Sequence, residues 1–379
     1  MPQGASKLIA DIQTGRLSLV ASGGADIEAL CDVAARSNPK RGFLIVSRVL
    51  GRHLPTRPRE MRKVMDDIAT QISRDLPEPV VLLGMAETAT ALGHGVFAAY
   101  RRDNPSVSAI YLQTSRQRVE SAQVMASFEE GHSHATTHLV QVRAETAAIA
   151  ASARTLIMVD DECSTGGTFL ACADAMRSAM PKLERIETCC ITDWSDGAYL
   201  PGMPLETTAH SVLEGRMDWT PTDGIERTVL AAASNRPGTA PDTGMRSRTG
   251  ILEPEAARRS YLAEMPDERV LVLGDGEHSY EALLVAEDLE AAGAVAAVQC
   301  MTRSPALLGY AMGSVSELRD SYGSGAPCYV YNLLEHRPDR VVIVAEALGT
   351  QSDDVLTALA KLGSDIPVSL VQCRYDAAI

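Results

Sequence analysis

The sequence lacks long apolar runs, and this absence limits the class of protein it can encode. No stretch of its 379 residues approaches the roughly 20 uninterrupted apolar residues that a membrane-spanning helix requires. Residues 1–15 also lack the basic stretch followed by an apolar stretch that marks a secretory signal. We therefore expect a cytoplasmic protein with no membrane partner.

Positive charge is also scarce. The 35 Lys and Arg residues are outnumbered by 49 Asp and Glu residues, which gives a net charge of -14. Nucleic-acid-binding proteins need a basic surface that displaces counterions from phosphates. We therefore expect no nucleic-acid partner, although this composition still allows a local basic pocket for a small anion.

Paired cysteines are missing as well. The eight cysteines form no CxxC motif and are too few for a disulfide-stabilised scaffold. We expect them to be reduced and mostly buried. Cys163 is the exception to follow, because it lies inside the strongest motif of the chain.

Short apolar runs alternate with helix-like segments and fall into two sets. The first set lies at residues 43–49, 80–84, 107–112, 155–159 and 185–191. The second set lies at 270–276, 294–300, 327–332, 341–346 and 366–373, with helix-like patterns at 279–292 and 353–362. Between the two sets, residues 236–250 are rich in Gly, Pro and Thr and have no apolar periodicity. We predict an α/β protein with a domain at 1–235, a linker at 236–250 and a smaller domain at 251–379.

The strongest motif is an apolar strand that ends in acids and is followed by Thr-Gly-Gly-Thr, within residues 155–169. Glycine at positions 166 and 167 lets backbone amides approach an anion, and a helix N-terminus adds positive partial charge. The carboxylates of Asp160 and Asp161 suit two ribose hydroxyls or a hydrated Mg²⁺. The candidate binding residues are Asp160, Asp161, Glu162, Cys163, Ser164, Thr165, Gly166, Gly167 and Thr168.

This motif resembles the phosphoribosyl pyrophosphate (PRPP) signature of type I phosphoribosyltransferases. The chain as a whole, from residues 42–55 through 128–138 to 299–305, resembles the phosphoribosyltransferases of bacterial tellurite-resistance operons. The second domain of that family is named the TRSP domain for its Thr-Arg-Ser-Pro motif, which is Thr302 to Pro305 here. The resemblance implies a type I fold, with a mainly parallel sheet and a hood, followed by a smaller Rossmann-like α/β domain. A homodimer is compatible with it.

The resemblance extends to the pyrophosphate end of PRPP. The loop Gly84, Met85, Ala86, Glu87 and Thr88 is similar to the pyrophosphate loop of type I enzymes, although a plain strand-to-helix connection explains it equally well. Arg116 follows a strand and is the candidate for meeting the departing pyrophosphate, with Arg118 as the competing choice. Ser164 replaces an acid of the hypoxanthine-guanine enzymes, which argues against purine salvage.

Three histidines lie between two predicted strands, at His132, His134 and His138. In type I folds this interval commonly supplies a mobile lid, where His132 and His134 would act as acid or base. Metal binding and an uninvolved surface loop are the alternatives. Upstream, residues 47–58 carry a basic cluster that fits either a hood over the substrate or a solvated loop.

The second domain offers two candidate ligand segments. Gly274, Asp275, Gly276, Glu277 and His278 lie between a strand and a helix, in a turn that only partly matches a nucleotide-binding motif. Thr302, Arg303 and Ser304 precede Pro305, which suits the first turn of a helix, so that they would bind a phosphorylated ligand. In the alternative, Ser304 caps the helix and Arg303 pairs with an acid.

These observations predict a Mg²⁺-dependent enzyme that transfers ribose 5-phosphate from PRPP to a nucleobase-like acceptor and releases pyrophosphate. Two alternatives remain. One is a regulator that senses PRPP or nucleotides without turnover. The other is a metal-binding stress protein that uses the cluster from His132 to His138.

Overall fold

The computed structural model describes most of the chain. The described residues are 6–23, 25–36, 38, 41–129, 137–222, 238–240, 246–253 and 266–372. Of the predicted site residues, His132 and His134 lie outside them. In the described part of the chain, no helix is both long enough and apolar enough to cross a membrane.

The N-terminal part alternates strands and helices, as the apolar runs predict. Its elements are β1 (Lys7–Ile12), β2 (Gly15–Ala21), α1 (Ile27–Leu30), β3 (Cys31–Ala35), β4 (Phe43–Ser47), α2 (Pro58–Ala69), β5 (Val80–Gly84), α3 (Thr90–Asp103), β6 (Ala109–Gln113), β7 (Gln117–Val119), β8 (Gln123–Glu129), β9 (Thr137–Val142), α4 (Ala144–Ser152), β10 (Thr155–Cys163), α5 (Gly167–Ala179), β11 (Arg185–Asp193) and β12 (Thr207–Pro221). All five predicted strands of this part are present.

A seven-stranded sheet forms the centre of this part, in the order β1-β2-β12-β11-β10-β5-β6. The five strands from β12 to β6 are parallel, whereas β2 pairs antiparallel with both β1 and β12. The sequence of β5 is apolar throughout because helices cover both faces of a parallel sheet, and its residues are buried. The predicted mainly parallel sheet is confirmed. The carboxyl ends of β5 and β10 therefore meet at one edge, where ligands bind in such sheets.

The C-terminal part builds a second, smaller parallel sheet. Its elements are β13 (Gly238–Ala240), β14 (Arg269–Gly274), α6 (Tyr280–Ala291), β15 (Val295–Cys300), β16 (Val315–Leu318), β17 (Cys328–Tyr331), β18 (Arg340–Ala345), α7 (Gln351–Lys361) and β19 (Val368–Gln372). The sheet order is β15-β14-β18-β19. The run at 327–332 forms β17, which stays outside this sheet and pairs antiparallel with β16.

Most described residues of the segment predicted as a linker are buried. β13 lies parallel to β7 of the first domain. Arg248 is completely buried, and its guanidinium bonds to Glu277 and Glu346 of the second domain. The polar composition of this segment does not reveal that Arg248 has two buried carboxylate partners. The domain boundaries themselves remain predictions.

Candidate functional site

A pocket of about 280 Å³ opens at the carboxyl ends of β5 and β10. The first domain lines it with Ala86–Thr88, Arg116 and Asp160–Phe169, and the second domain with Thr302–Pro305. The first-domain segments are far apart in sequence and meet because parallel strands of one sheet end at the same edge. Thr302–Pro305 follow β15 of the second sheet. The pocket brings together most of the predicted PRPP-binding residues with the Thr-Arg-Ser-Pro motif.

The Thr-Gly-Gly-Thr loop turns directly into α5. Gly166 adopts the left-handed conformation with φ +74°, and a Cβ at this position would lie 2.2 Å from Cγ of Tyr199. Only glycine fits there, for both conformational and steric reasons. Helix α5 begins at Gly167, so its first amides lack helical partners and lie at the pocket beside Thr165 and Thr168. This geometry suits a phosphate group.

The acids at the end of β10 face different surroundings. Glu162 makes a two-pronged ion pair with Arg41, whose Nη2 lies 2.7 Å from both carboxylate oxygens. The amide of Asp161 donates to Oδ1 of Asp160 at 2.9 Å. Burial, and next the charge of Glu162, raise the pKa of Asp161 to about 6. Carboxylates crowded in this way favour a cation or hydroxyl donors from a ligand.

Cys163 and Ser164, also predicted to bind PRPP, line the pocket too. Cys163 is almost fully buried, and burial, followed by the charge of Asp193, raises the pKa of its thiol well above its ordinary value. It is therefore a neutral thiol. Ser164 Oγ accepts a hydrogen bond from Nη1 of Arg41 at 3.3 Å.

The loop after β5 is held by the strand end next to it. The amide of Ala86 donates to Oγ1 of Thr114 at 2.7 Å, and the carbonyl of Ala86 accepts from Nη2 of Arg116 at 3.3 Å. Ala86, Glu87 and Thr88 line the pocket, whereas Gly84 and Met85 lie buried beneath it. The peptide bond between Ala86 and Glu87 is cis. Three of the five predicted loop residues thus face the ligand space.

Arg116 lies at the pocket, and its alternative does not. Arg116 is buried, and its Nη1 donates to the carbonyl of Thr137 at 3.1 Å. Arg118 is exposed on β7 and lies outside the pocket lining. The geometry therefore favours Arg116 for contact with a pyrophosphate.

His138 is the histidine of the predicted cluster that the structure describes. It is buried at the pocket, where Nδ1 lies 2.9 Å from Oγ1 of Thr114 and the ring stacks on Phe128. Within the described ranges, no group of three or more His, Cys, Asp or Glu side chains is arranged to hold a metal. The lid and metal hypotheses for His132 and His134 concern residues outside those ranges and remain predictions.

The Thr-Arg-Ser-Pro segment contacts the first domain directly. Oγ1 of Thr302 and the amide of Arg303 both donate to Oε2 of Glu87 at 3.0 Å. The guanidinium of Arg303 pairs with Asp320 at 3.0 Å. The prediction that Pro305 begins a helix is wrong, because residues 301–314 contain no helix and Ala306 instead bridges to Arg36 of the first domain. The alternative prediction, that Arg303 pairs with an acid, is the one that the structure shows.

The other predicted segment of the second domain lies away from the pocket. Gly274, Asp275, Gly276, Glu277 and His278 are buried, and none of them lines the pocket. The structure therefore separates this segment from Thr302–Ser304, and a ligand-binding role for Gly274–His278 remains a prediction.

The carboxylates of this segment are bonded within the protein. Asp275 accepts from Ser321 and Gln351. Glu277 accepts from Oγ of Ser115 and the amide of Arg116, both at 2.6 Å, and from Nε of Arg248 at 2.7 Å. The sequence motif gave no sign that these acids would bind protein groups from distant segments.

Sequence reasoning missed part of the hood. Arg36, Arg41, Leu44 and Ile45, which belong to or flank the β3–β4 hairpin, line the pocket together with His53. His53 belongs to the basic cluster at 47–58, and burial, followed by the charge of Arg52, lowers its pKa to about 3. The basic residues just before β4 were the sequence signal that could have indicated this contact with the pocket. The pairing of β3 with β4, which the sequence did not reveal, determines which side chains face the pocket.

Two other basic residues of that cluster, Arg48 and Arg52, pair with acids of the protein. Arg52 is buried and pairs with Glu87, with Nη2 2.8 Å from Oε2. Arg48 pairs with Asp32 on β3. Arg57 immediately precedes α2. The cluster therefore secures the hood and the loop after β5, and its His53 reaches the pocket.

Comparison with known proteins agrees with this description. One family model, described as phosphoribosyl transferase, matches residues 30–210. A second, described as the TRSP domain that lies C-terminal to this transferase domain, matches residues 235–361. No curated protein matches the chain.

Several solved structures are similar to about half of the chain. The adenine phosphoribosyltransferase of Rhodothermus marinus is 14% identical over 49% of this chain and 94% of its own, with a TM-score of 0.34. The Giardia lamblia enzyme, complexed with 9-deazaadenine, is 17% identical over 50% of this chain and 96% of its own, also at 0.34. Hypoxanthine phosphoribosyltransferase of Trypanosoma cruzi, in complex with the product IMP, is 16% identical over 44% of this chain and 80% of its own, at 0.27.

The two family models follow each other in the order that the motifs predicted, and the residues that carry both motifs meet at one pocket. The chain therefore combines a domain of the phosphoribosyl transferase family, at residues 30–210, with the TRSP domain that follows such a domain, at residues 235–361.

Proposed function

We propose that this protein transfers ribose 5-phosphate from PRPP to a nucleobase-like acceptor and releases pyrophosphate. The observation that carries the proposal is the shared pocket of the acid pair, the Thr-Gly-Gly-Thr loop, the loop Ala86–Thr88 and Arg116. The 5-phosphate would bind the first amides of α5 and the hydroxyls of Thr165 and Thr168. The ribose hydroxyls would donate to Asp160 and Asp161.

The residues present also fit Mg²⁺. The carboxylates of Asp160 and Asp161 line the pocket and are oxygen ligands of the kind that Mg²⁺ binds, often through water. The pKa of Asp161, raised by burial and by Glu162, indicates that a nearby cation would relieve repulsion among the acids. When bound, Mg²⁺ would neutralise charge on the diphosphate.

The chain's own groups then position the reactants and stabilise the leaving charge. Loss of pyrophosphate from the anomeric carbon develops positive charge on the ribose and negative charge on the leaving group. Arg116 and the backbone amides of Glu87 and Thr88 would receive that negative charge, since these residues line the same pocket. Ser164 stands where the hypoxanthine-guanine enzymes carry an acid, so we propose an acceptor other than hypoxanthine or guanine. The acceptor would enter beside the hood, where Leu44 and Ile45 offer an apolar wall.

Calorimetric titration with PRPP and Mg²⁺ tests the proposal. We expect the double variant Asp160→Asn/Asp161→Asn to bind PRPP at least about tenfold more weakly than the wild type, because it loses charge-assisted hydrogen bonds to the ribose or its cation. The matched control is Asp66→Asn/Asp67→Asn, an adjacent acid pair on α2 whose side chains are 36% and 41% exposed. Equal affinity of the site variant and the wild type would contradict the proposal.

Pyrophosphate release with a panel of nucleobases would then identify the acceptor. Turnover with one base and not with others would show which acceptor the enzyme uses. The tellurite-resistance association, the cytoplasmic location and a homodimer remain proposals that follow from the sequence.

A further inference from the structure

The second domain supplies one wall of the pocket. Among the described residues of the second domain, Thr302–Pro305 line the pocket, whereas Gly274–His278 are buried and do not line it. The segment's hydrogen bonds to the first domain include two to Glu87, which belongs to the loop assigned to pyrophosphate. Among the described residues, no hydrogen bond joins it to Thr165–Thr168. The motif therefore lies at the pyrophosphate end of the site.

Glu87 is fixed by groups from two directions. Oε2 accepts from Thr302 and Arg303, and the same oxygen lies 2.8 Å from Nη2 of Arg52. Arg52 in turn donates from Nη1 to the carbonyl of Gly276 at 2.8 Å. Burial alone would raise the pKa of Glu87, but Arg52 and Arg303 outweigh it and lower the pKa to about 2. The carboxylate is therefore ionised at neutral pH, and its position depends on the second domain.

A second carboxylate holds the neighbouring loop. Glu277 binds the hydroxyl of Ser115 and the amide of Arg116, and it is itself held by the buried Arg248. Arg116 reaches from there to the carbonyl of Ala86. Both first-domain loops at the pyrophosphate end are thus anchored to the second domain.

Ser304 differs from its two neighbours. The hydroxyl of Thr302 and the guanidinium of Arg303 are engaged with Glu87 and Asp320. The backbone of Ser304 bonds to Thr302 and Tyr331, whereas its hydroxyl makes no hydrogen bond to any described residue. Ser304 is partly exposed and lines the pocket. Its hydroxyl is therefore available to a ligand.

We propose that the TRSP segment completes the pyrophosphate subsite of the transferase, with the hydroxyl of Ser304 donating to the pyrophosphate of PRPP. Thr302 is a positioning residue that holds Glu87 and, through it, the loop Ala86–Thr88. This inference rests on the proposed function, since it needs PRPP to be the ligand. It assigns the second domain a direct part in the active site.

Calorimetry with three probes, each with Mg²⁺, tests this assignment. The probes are PRPP, inorganic pyrophosphate and ribose 5-phosphate. For Ser304→Ala we expect roughly tenfold weaker binding of PRPP and of pyrophosphate, because a hydrogen bond to a charged group is lost. Binding of ribose 5-phosphate should be unchanged. Thr168→Val should show the reverse pattern, with ribose 5-phosphate and PRPP weakened and pyrophosphate unchanged.

The matched control is Ser316→Ala, a partly buried serine of the same domain on β16 that lies outside the pocket lining. It should bind all three probes like the wild type. Thr302→Val should weaken pyrophosphate binding, and Thr302→Ser, which keeps the hydroxyl, should restore it.

The outcomes separate this inference from the proposed function. A wild type that binds none of the three probes would refute the proposed function itself. A wild type that binds them, with Ser304→Ala binding pyrophosphate equally well, would overturn the inference alone. Equal weakening of ribose 5-phosphate and pyrophosphate by Ser304→Ala would also overturn it, since that pattern indicates a general structural defect.

Discussion

Glu87 shows how a single residue links the two domains. Its side chain is 13% exposed, and its charge is balanced by Arg52, whose side chain is 3% exposed. Removing one partner of a buried ion pair leaves the other uncompensated, which is strongly destabilising. The loop position of Glu87 was predicted from the sequence, but its partners were not, because they come from the hood and from the second domain.

The low pKa of Glu87 predicts a pH-dependent contribution to stability. Its pKa in the folded protein is about 2, below its ordinary value of 4.5, so the folded state favours the ionised form. The contribution is complete above pH 4.5 and is lost as the pH falls toward 2, and it amounts to about 3 kcal/mol. We expect the difference in unfolding free energy between wild type and Glu87→Gln, measured by urea denaturation, to shrink steadily below pH 4.5. A difference that stays constant with pH would contradict the pairing seen here.

The binding partners of arginine side chains could not be predicted from the sequence. The choice of Arg116 over Arg118 required the structure, since both follow the same strand. Arg303 was predicted to bind phosphate, yet it pairs with Asp320, which lies 17 positions along the chain. A guanidinium binds the nearest suitable acid, and that acid is determined by the tertiary fold.

At the scale of elements, the turn from β10 into α5 determines the shape of the phosphate site. The sequence predicted its strand, its acids and its glycines because each has a local physical requirement. It could not show that Gly166 packs against Tyr199, a residue that follows the next strand. Nor could it show that Thr302–Pro305 form an irregular segment, since Pro305 is equally compatible with a helix start.

Substitution of Gly166 tests the geometry of this turn. In Gly166→Ala, the left-handed conformation should cost about 1 kcal/mol, and the clash with Tyr199 should add about 1–3 kcal/mol. Gly363→Ala is a matched control, because Gly363 has φ +73° and no atom within 4 Å of its added Cβ. We expect a larger loss of unfolding free energy in Gly166→Ala than in Gly363→Ala, and weaker PRPP binding in Gly166→Ala alone. Equal stability losses would show that Tyr199 does not restrict the turn.

At the scale of the whole molecule, the second domain is integrated into the first. Arg248 bonds to Glu277 and Glu346, Arg62 of α2 pairs with Glu287 of α6, and His94 stacks on Tyr280 at 3.9 Å. The sequence predicted two α/β units and the order of their strands. It gave no account of their contact, because these partners are separated by up to 225 positions.

The central claim is that one ligand, PRPP, contacts both domains in a single pocket. A crystal structure of the protein with PRPP and Mg²⁺ bound tests it most directly. The account predicts the 5-phosphate at Thr165–Thr168, the ribose hydroxyls at Asp160 and Asp161, and the pyrophosphate between Ala86–Thr88 and Ser304. PRPP bound with its pyrophosphate away from Ser304, or bound outside this pocket, would contradict it.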